Sequence, residues 1–150
     1  EKRAVLGYRD SQTFLAEEIG KYAGLAVATE DGSVGTKGTV LDANKAQGLK
    51  ADIIYACGPT PMLRALKEYA AKEGIECWIS LEERMACGVG ACLGCVCHSK
   101  DVDEHSNVRN KRVCKDGPVF LADEVELLST EEQRERIQSG CMCGTAGKED

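Results

Sequence analysis

The sequence predicts an α/β protein in two parts. A parallel sheet with flanking helices occupies residues 1–80, and a small, loop-rich segment with short strands occupies residues 81–128, ahead of a polar tail over residues 129–150. Three observations predict this. Short apolar runs alternate with helix-like stretches through the first part, the arrangement that parallel strands and their crossovers demand. Glycine and cysteine crowd residues 85–97, and residues beyond about 122 are mostly charged.

The elements follow in order. Ala4-Val5-Leu6 reads as a first strand. Asp10-Ser11 can cap a helix whose Phe14, Leu15, Ile19 and Tyr22 would form one apolar face, with Glu17 and Lys21 outside. Leu25 to Ala28 is a second strand, followed by a glycine-bearing loop from Glu30 to Gly38. A weakly apolar helix over 40–47 leads to a third strand, Asp52 to Cys57. Thr60 as N-cap with Pro61 just inside marks the clearest helix start, and Met62, Leu63, Leu66, Tyr69 and Ala70 give that helix a buried stripe. Gly74 stops it, and Ile75 to Ile79 is a fourth strand. A domain boundary is expected near residue 81. Val119-Phe120-Leu121 is a further strand, and Ser129-x-x-Glu132 has the spacing of a capping box. The last ten residues are expected to be mobile.

Composition narrows the function. Nineteen Lys and Arg against twenty-five Asp and Glu leave a net charge of −6, and no basic stripe offsets it. That balance argues against nucleic-acid binding and against an anionic membrane surface. No apolar run approaches the ~18 residues of a spanning helix, and no secretory signal opens the chain. A 43% hydrophobic content supports a packed core. The expectation is a soluble, cytoplasmic protein.

Nine cysteines are an odd count, and Cys87, Cys92, Cys95 and Cys97 fall within eleven residues. In a reducing compartment, thiols clustered so tightly bind metal more readily than they cross-link. Cys87-x4-Cys92-x2-Cys95, with Cys114 after eighteen more residues, has the ligand spacing of plant-type [2Fe–2S] clusters. Gly88, Gly90, Ala91 and Gly94 fill the intervals, offering little bulk and free backbone choice, so that N–H groups can approach sulfur. A zinc ribbon is the rival, with Cys141-x-Cys143 as an imperfect second half, although zinc asks for no such glycines. A Rieske centre needs two histidines, and His98 alone lies near. Cys97 and Cys77 read as bystanders, and Cys141 and Cys143 as free thiols. Gly144 to Lys148 superficially suggests a phosphate loop but lacks its spacing.

Parallel sheets bind ligands at the carboxyl ends of their strands, where both the Glu30–Gly38 loop and the Cys57-Gly58-Pro59 turn fall. Those glycines equally serve tight turns, and Cys57 equally serves as a plain strand-end cysteine.

Thr29 to Gly38, with Tyr55-Ala56-Cys57-Gly58-Pro59, resembles the pyridine-nucleotide half of ferredoxin–NADP reductase-like flavoproteins. Glu82 to Cys95, with Val113-Cys114-Lys115-Asp116-Gly117-Pro118-Val119-Phe120, is similar to the electron-transfer subunit of NAD-linked dihydroorotate dehydrogenases. The resemblance covers residues 1–128 and implies an FAD-binding barrel, an NAD domain and a [2Fe–2S] domain. It reads the chain as lacking the barrel and the first strand and Gly-rich loop of the NAD domain. It implies Cys87, Cys92, Cys95 and Cys114 as metal ligands. It places Asp31, Gly32, Ser33 and Lys37 against NAD, and Cys57, Gly58 and Pro59 where nicotinamide meets flavin. No catalytic residue is implied, with Cys57 a packing residue, and the chain alone is expected to be inactive. The implied partner is an FMN-containing dihydroorotate dehydrogenase catalytic subunit. The implied route runs from dihydroorotate through FMN, cluster and FAD to NAD⁺, because NAD takes two electrons, a cluster passes one, and flavin does both. A related subunit of a hydrogenase or a ferredoxin–NAD(P) oxidoreductase has the same architecture. A zinc-stabilised interaction module would be a non-redox alternative.

Overall fold

The computed structural model describes residues 1–103, 107–129, 131, 132 and 135. It divides into two compact units, Glu1–Ala51 and Asp52–Asp150.

In the first unit, β1 (Arg3–Tyr8) and β2 (Gly24–Thr29) pair in parallel, Arg3 opposite Gly24 and Tyr8 opposite Thr29. β3 (Thr36–Lys37) joins the far side of β2, giving the order β1-β2-β3. The helix expected after Asp10-Ser11 is corrected: only α1 (Ala16–Gly20) forms. The Asp10 carboxylate accepts the Gln12 N–H at 2.8 Å in a local turn, and the Tyr8 hydroxyl donates to the Phe14 carbonyl at 2.6 Å. These side-chain bonds compete with helix formation. Leu15 enters the left-handed region at φ 61 immediately before α1. The expected apolar face is therefore not built, since Phe14, Leu15 and Tyr22 are exposed and only Ala16 of α1 is buried.

The next helix, α2 (Val40–Ala46), carries a capping box that the weak apolar pattern concealed. Thr39 Oγ1 accepts the Asp42 N–H at 3.4 Å, while Asp42 Oδ2 accepts the Thr39 N–H at 2.7 Å. These bonds to Thr39 hold the Asp42 carboxyl below its ordinary range. Ala43 of α2 is buried, as are Ala26 and Ala28 of β2, so small side chains let helix and sheet approach closely.

In the second unit, β4 (Ile53–Cys57), α3 (Thr60–Glu73) and β5 (Glu76–Ser80) form a right-length crossover between parallel strands, with Ile53 opposite Glu76. Thr60 is the first residue of α3 and makes no capping bond; Pro59 precedes it and Pro61 follows. Gly74 closes the helix at φ 67, the left-handed conformation glycine adopts without strain. A three-stranded antiparallel sheet has the order β7 (Asn110–Arg112), β6 (Val96–Ser99), β9 (Val125–Glu126). Between them lie α4 (Val113–Asp116) and β8 (Val119–Leu121).

β8 runs antiparallel to β5, with Ile79 opposite Phe120, so the sheet containing β4 is mixed. Leu63 and Ala70 of α3 share one buried cluster with Ile79, Val113, Phe120 and Val125. Burying each of the larger chains contributes about 1.5–3 kcal/mol. This cluster draws on residues either side of position 81. No helix among the described residues is long and apolar enough to cross a membrane. Ser129 and Glu132 do form the expected capping box. Cys141, Cys143, Gly144 to Lys148, and the mobility expected of the last ten residues lie outside the described residues.

Candidate metal centre

The site is built on three pieces of backbone in the second unit. Residues 86–95 form an irregular loop with Gly88 at φ 67 and Gly90 at φ 82. β6 and β7 then run out and back, Val96 opposite Arg112. The Val113 N–H donates to the Cys95 carbonyl at 2.9 Å, which brings α4 beside the loop. The eighteen residues between Cys95 and Cys114 are thus spanned by a strand pair whose register returns Cys114 to Cys95.

Backbone N–H groups point at sulfur throughout. Val89 donates to Cys87 Sγ at 3.5 Å, Gly94 to Cys92 Sγ at 3.4 Å, and Cys114 to Cys95 Sγ at 3.4 Å. A Cβ on Gly94 would lie 3.3 Å from Cys92 Sγ, tight enough to disturb that approach. Cys87 and Cys92 are exposed, Cys114 is half-buried and Cys95 is buried.

The electrostatics separate the four thiols into two interacting pairs. The backbone N–H of Cys92, then that of Val89, then the Cys92 thiol bring the Cys87 thiol down to about 6. The Cys114 thiol is raised, first by its hydrogen bond with the Cys95 thiol and then by burial, while the Gly90 N–H opposes the rise. Cys87 also acts on Cys114 through its charge, so the two pairs are within electrostatic reach of each other. Among the described residues, no three His, Cys, Asp or Glu side chains converge on a position for a single metal ion. A donor set of thiols in pairs, ringed by N–H groups and glycines, suits a two-iron cluster held by four cysteines, and fits one tetrahedral ion less well.

The neighbouring cysteines stand apart. Cys97, on β6, is pushed up to about 11 by burial and donates to the Lys111 carbonyl at 3.5 Å. Burial also raises the Cys77 thiol on β5.

Sequence reasoning missed the side chains that clamp α4. Arg112 is 6% exposed and forks onto Asp116, with Nε to Oδ2 at 3.0 Å and Nη2 to Oδ1 at 3.3 Å. Its Nη2 also reaches Asp103 Oδ1 at 3.3 Å, and its own N–H donates to Asp116 Oδ2 at 2.8 Å. The i,i+4 spacing of an Arg and an Asp around Cys114 was the available signal. Leu93 was missed as well. It lies between Cys92 and Cys95 at φ 55, where a non-glycine residue is strained.

The expected nucleotide residues fall in both units. In the first, the Asp31 carboxylate accepts the Ser33 hydroxyl at 2.7 Å and the Ser33 N–H at 2.9 Å, which hold it below its ordinary range. Gly32, at φ 79, faces the Lys37 stem, and a Cβ on Gly35 would fall on the Val27 carbonyl. In the second, Cys57 is exposed at the end of β4, and Gly58 and Pro59 lead into α3. An open groove of about 680 Å³, lined by Arg64, Lys67, Glu126 and Leu127 among others, includes none of these residues.

Comparison with known proteins agrees with this picture. Residues 82–126 match the iron–sulfur cluster binding domain of dihydroorotate dehydrogenase B. The chain is 49% identical over 120 residues to the electron transfer subunit of dihydroorotate dehydrogenase B (NAD(+)) from Caldanaerobacter subterraneus subsp. tengcongensis, covering 80% of this chain and 47% of that protein. The corresponding subunit of Geobacillus kaustophilus is 49% identical over 125 residues, 83% of this chain and 46% of that one. That of Listeria monocytogenes is 45% identical over 124 residues, with 82% and 46% covered. A solved NADH-dependent reduced ferredoxin-NADP oxidoreductase aligns at a TM-score of 0.68 and 30% identity, over 91% of this chain and 47% of that chain. The chain thus spans about half the length of the relatives it matches. Over residues 82–126 it is a member of the dihydroorotate dehydrogenase B iron–sulfur cluster binding family, and over most of its length a relative of the electron transfer subunits that carry it.

Proposed function

We propose that the chain is part of an electron-transfer subunit of dihydroorotate dehydrogenase, moving electrons from an FMN-containing catalytic subunit toward NAD⁺ in the cytoplasm. Cys87 with Cys92 would hold one iron of a [2Fe–2S] cluster, and Cys95 with Cys114 the other. The observation that carries this reading is the set of N–H groups aimed at sulfur, at Cys87 and Cys92 from the glycine-lined loop and at Cys95 from Cys114 on α4. When bound, the cluster supplies one-electron transfer, and FAD supplies the exchange between one- and two-electron carriers. Donated N–H groups stabilise added negative charge on thiolate sulfur, so the loop favours the reduced form. Asp31, Gly32, Ser33 and Lys37 would contact NAD, and Cys57, Gly58 and Pro59 the nicotinamide end. The chemical division then falls near residue 81, with nucleotide contacts before it and the metal centre after it. Neither nucleic acid nor a membrane enters this role.

A second reading is favoured by the structural likeness to the reduced ferredoxin-NADP oxidoreductase: a flavin and iron–sulfur subunit serving another electron donor. Co-expression with an FMN dihydroorotate dehydrogenase separates the two. Dihydroorotate-dependent NAD⁺ reduction by the purified complex supports the first reading. Its absence, with ferredoxin-dependent reduction present, supports the second. Stoichiometric zinc in colourless, anaerobically purified protein would overturn both.

A further inference from the structure

The loop carrying Cys87, Cys92 and Cys95 is roofed at one point by a cation. A Cβ built on Gly90 would stand 2.9 Å from Cδ and 3.1 Å from Cβ of Lys115, so the Lys115 stem lies directly against the open face of that glycine. Its ammonium is only two bonds beyond Cδ. Gly90 is also the residue whose N–H approaches the Cys114 thiol, and Lys115 follows Cys114 in the chain. The Lys115 stem thus runs from the backbone beside Cys114 across the face of Gly90.

Arg112 also touches this spot, with its Cδ 3.4 Å from the same Cβ position. Its guanidinium, however, is engaged by the carboxylates of Asp116 and Asp103 at 3.0 and 3.3 Å. Lys115 forms no ion pair among the described residues. In a chain of net charge −6, it is an uncompensated positive charge at the cysteine loop.

We propose that Lys115 sets the reduction potential of the metal centre, holding it more positive than the loop alone would. This rests on the cluster reading above. Each electron taken up adds one negative charge beside the thiolates, and a nearby cation lowers the energy of that added charge more than it lowers the starting state. The effect is electrostatic, so it should follow charge rather than shape, and salt should weaken it because Lys115 is exposed.

The test uses the 150-residue chain, reconstituted anaerobically with iron and sulfide and titrated with dithionite while the EPR signal is followed. Lys115→Met keeps an unbranched stem over Gly90 and deletes the charge; its midpoint should move to a more negative value, and the gap from the parent should narrow at high salt. Lys115→Glu should move it further the same way, and Lys115→Arg should leave it near the parent. A Lys115→Met midpoint coincident with the parent at low salt overturns the proposal. So does an equal shift in Lys115→Met and Lys115→Arg, which would mean packing rather than charge. A parent chain that gives no reduced-cluster signal overturns the cluster reading itself, an outcome distinct from either.

Discussion

The Cys114 N–H donates to Cys95 Sγ at 3.4 Å, joining two thiols that eighteen residues separate. The β6–β7 register makes this contact, because Val96 opposite Arg112 leaves Cys95 and Val113 adjacent at the open end of the pair. Cys97 lies on the same strands yet turns its thiol to the Lys111 carbonyl. Cys114→Ser should therefore abolish most of the iron retained after reconstitution, whereas Cys97→Ser should keep it nearly all. Iron and sulfide assays beside the visible spectrum read this, and equal losses in both variants would contradict the assignment of the fourth ligand.

Gly90 has no room for a side chain and no conformation that suits one. At φ 82 an L residue is strained by about 1–2 kcal/mol, and its Cβ would press the Lys115 stem at 2.9 Å. Gly90→Val should block assembly while leaving the fold of the second unit in place, since its core lies around Ile79, Val113 and Phe120. Far-ultraviolet circular dichroism close to that of the parent, together with iron content reduced several-fold, is the expected pair of results. Gly88→Ala, with nothing within 4 Å of its Cβ, should be milder.

The Arg112–Asp116 clamp makes the turn bearing Cys114 sensitive to acid. Burial alone would raise the Asp116 carboxyl, but the Arg112 hydrogen bonds outweigh it and leave it below the ordinary range. A carboxyl depressed in the folded state contributes stability above its unfolded pKa of about 3.9, and that contribution is lost as pH falls through the lower folded value. Asp116→Asn should reduce the slope of thermal stability against pH below about pH 4. At neutral pH it should lower Tm by several degrees, because the buried Arg112 loses its main partner. Parallel melting curves for parent and variant across that acid range would contradict the clamp.

The legible parts of this molecule were those written locally. Glycine at 74, proline at 61 and the alternation of apolar runs located α3, β4 and β5 within a residue or two. The cysteine spacing picked out the loop in which N–H groups approach the Cys87 and Cys92 thiols. Long-range pairing was invisible. Nothing in Val119-Phe120-Leu121 says that β8 will run antiparallel to β5 and join the core across residue 81. Propensity also misled at α1, where Phe14 and Tyr22 kept helical spacing but the Tyr8 hydroxyl fixed the Phe14 carbonyl outside the helix. The capping box at Thr39 and Asp42 was readable in principle, yet an Asp in place of the usual Glu at the third position hid it.

Cys87 offers a check of the loop geometry that needs no metal. N–H groups from Cys92 and Val89 bring its thiol to about 6, so at pH 6 about half of it is thiolate. An ordinary exposed thiol, with a pKa near 8.5, is ionised there to only about 0.3%. Intrinsic nucleophilicity falls with pKa, at a Brønsted slope of about 0.4–0.5, and offsets roughly ten-fold of that advantage. In the metal-free chain, iodoacetamide should thus label Cys87 about ten-fold faster than an unperturbed cysteine at pH 6. The advantage should shrink to two- or three-fold at pH 7, because Cys87 nears full ionisation while the thiolate fraction of the ordinary cysteine still rises about ten-fold. Cys97, half-buried and pushed up to about 11, should react more slowly than Cys87 at either pH. Peptide mapping after timed quenching measures the order. A Cys87 rate that climbs ten-fold for each pH unit from 6 to 8 would mean an unperturbed thiol, and the N–H groups would then not be directed at its sulfur.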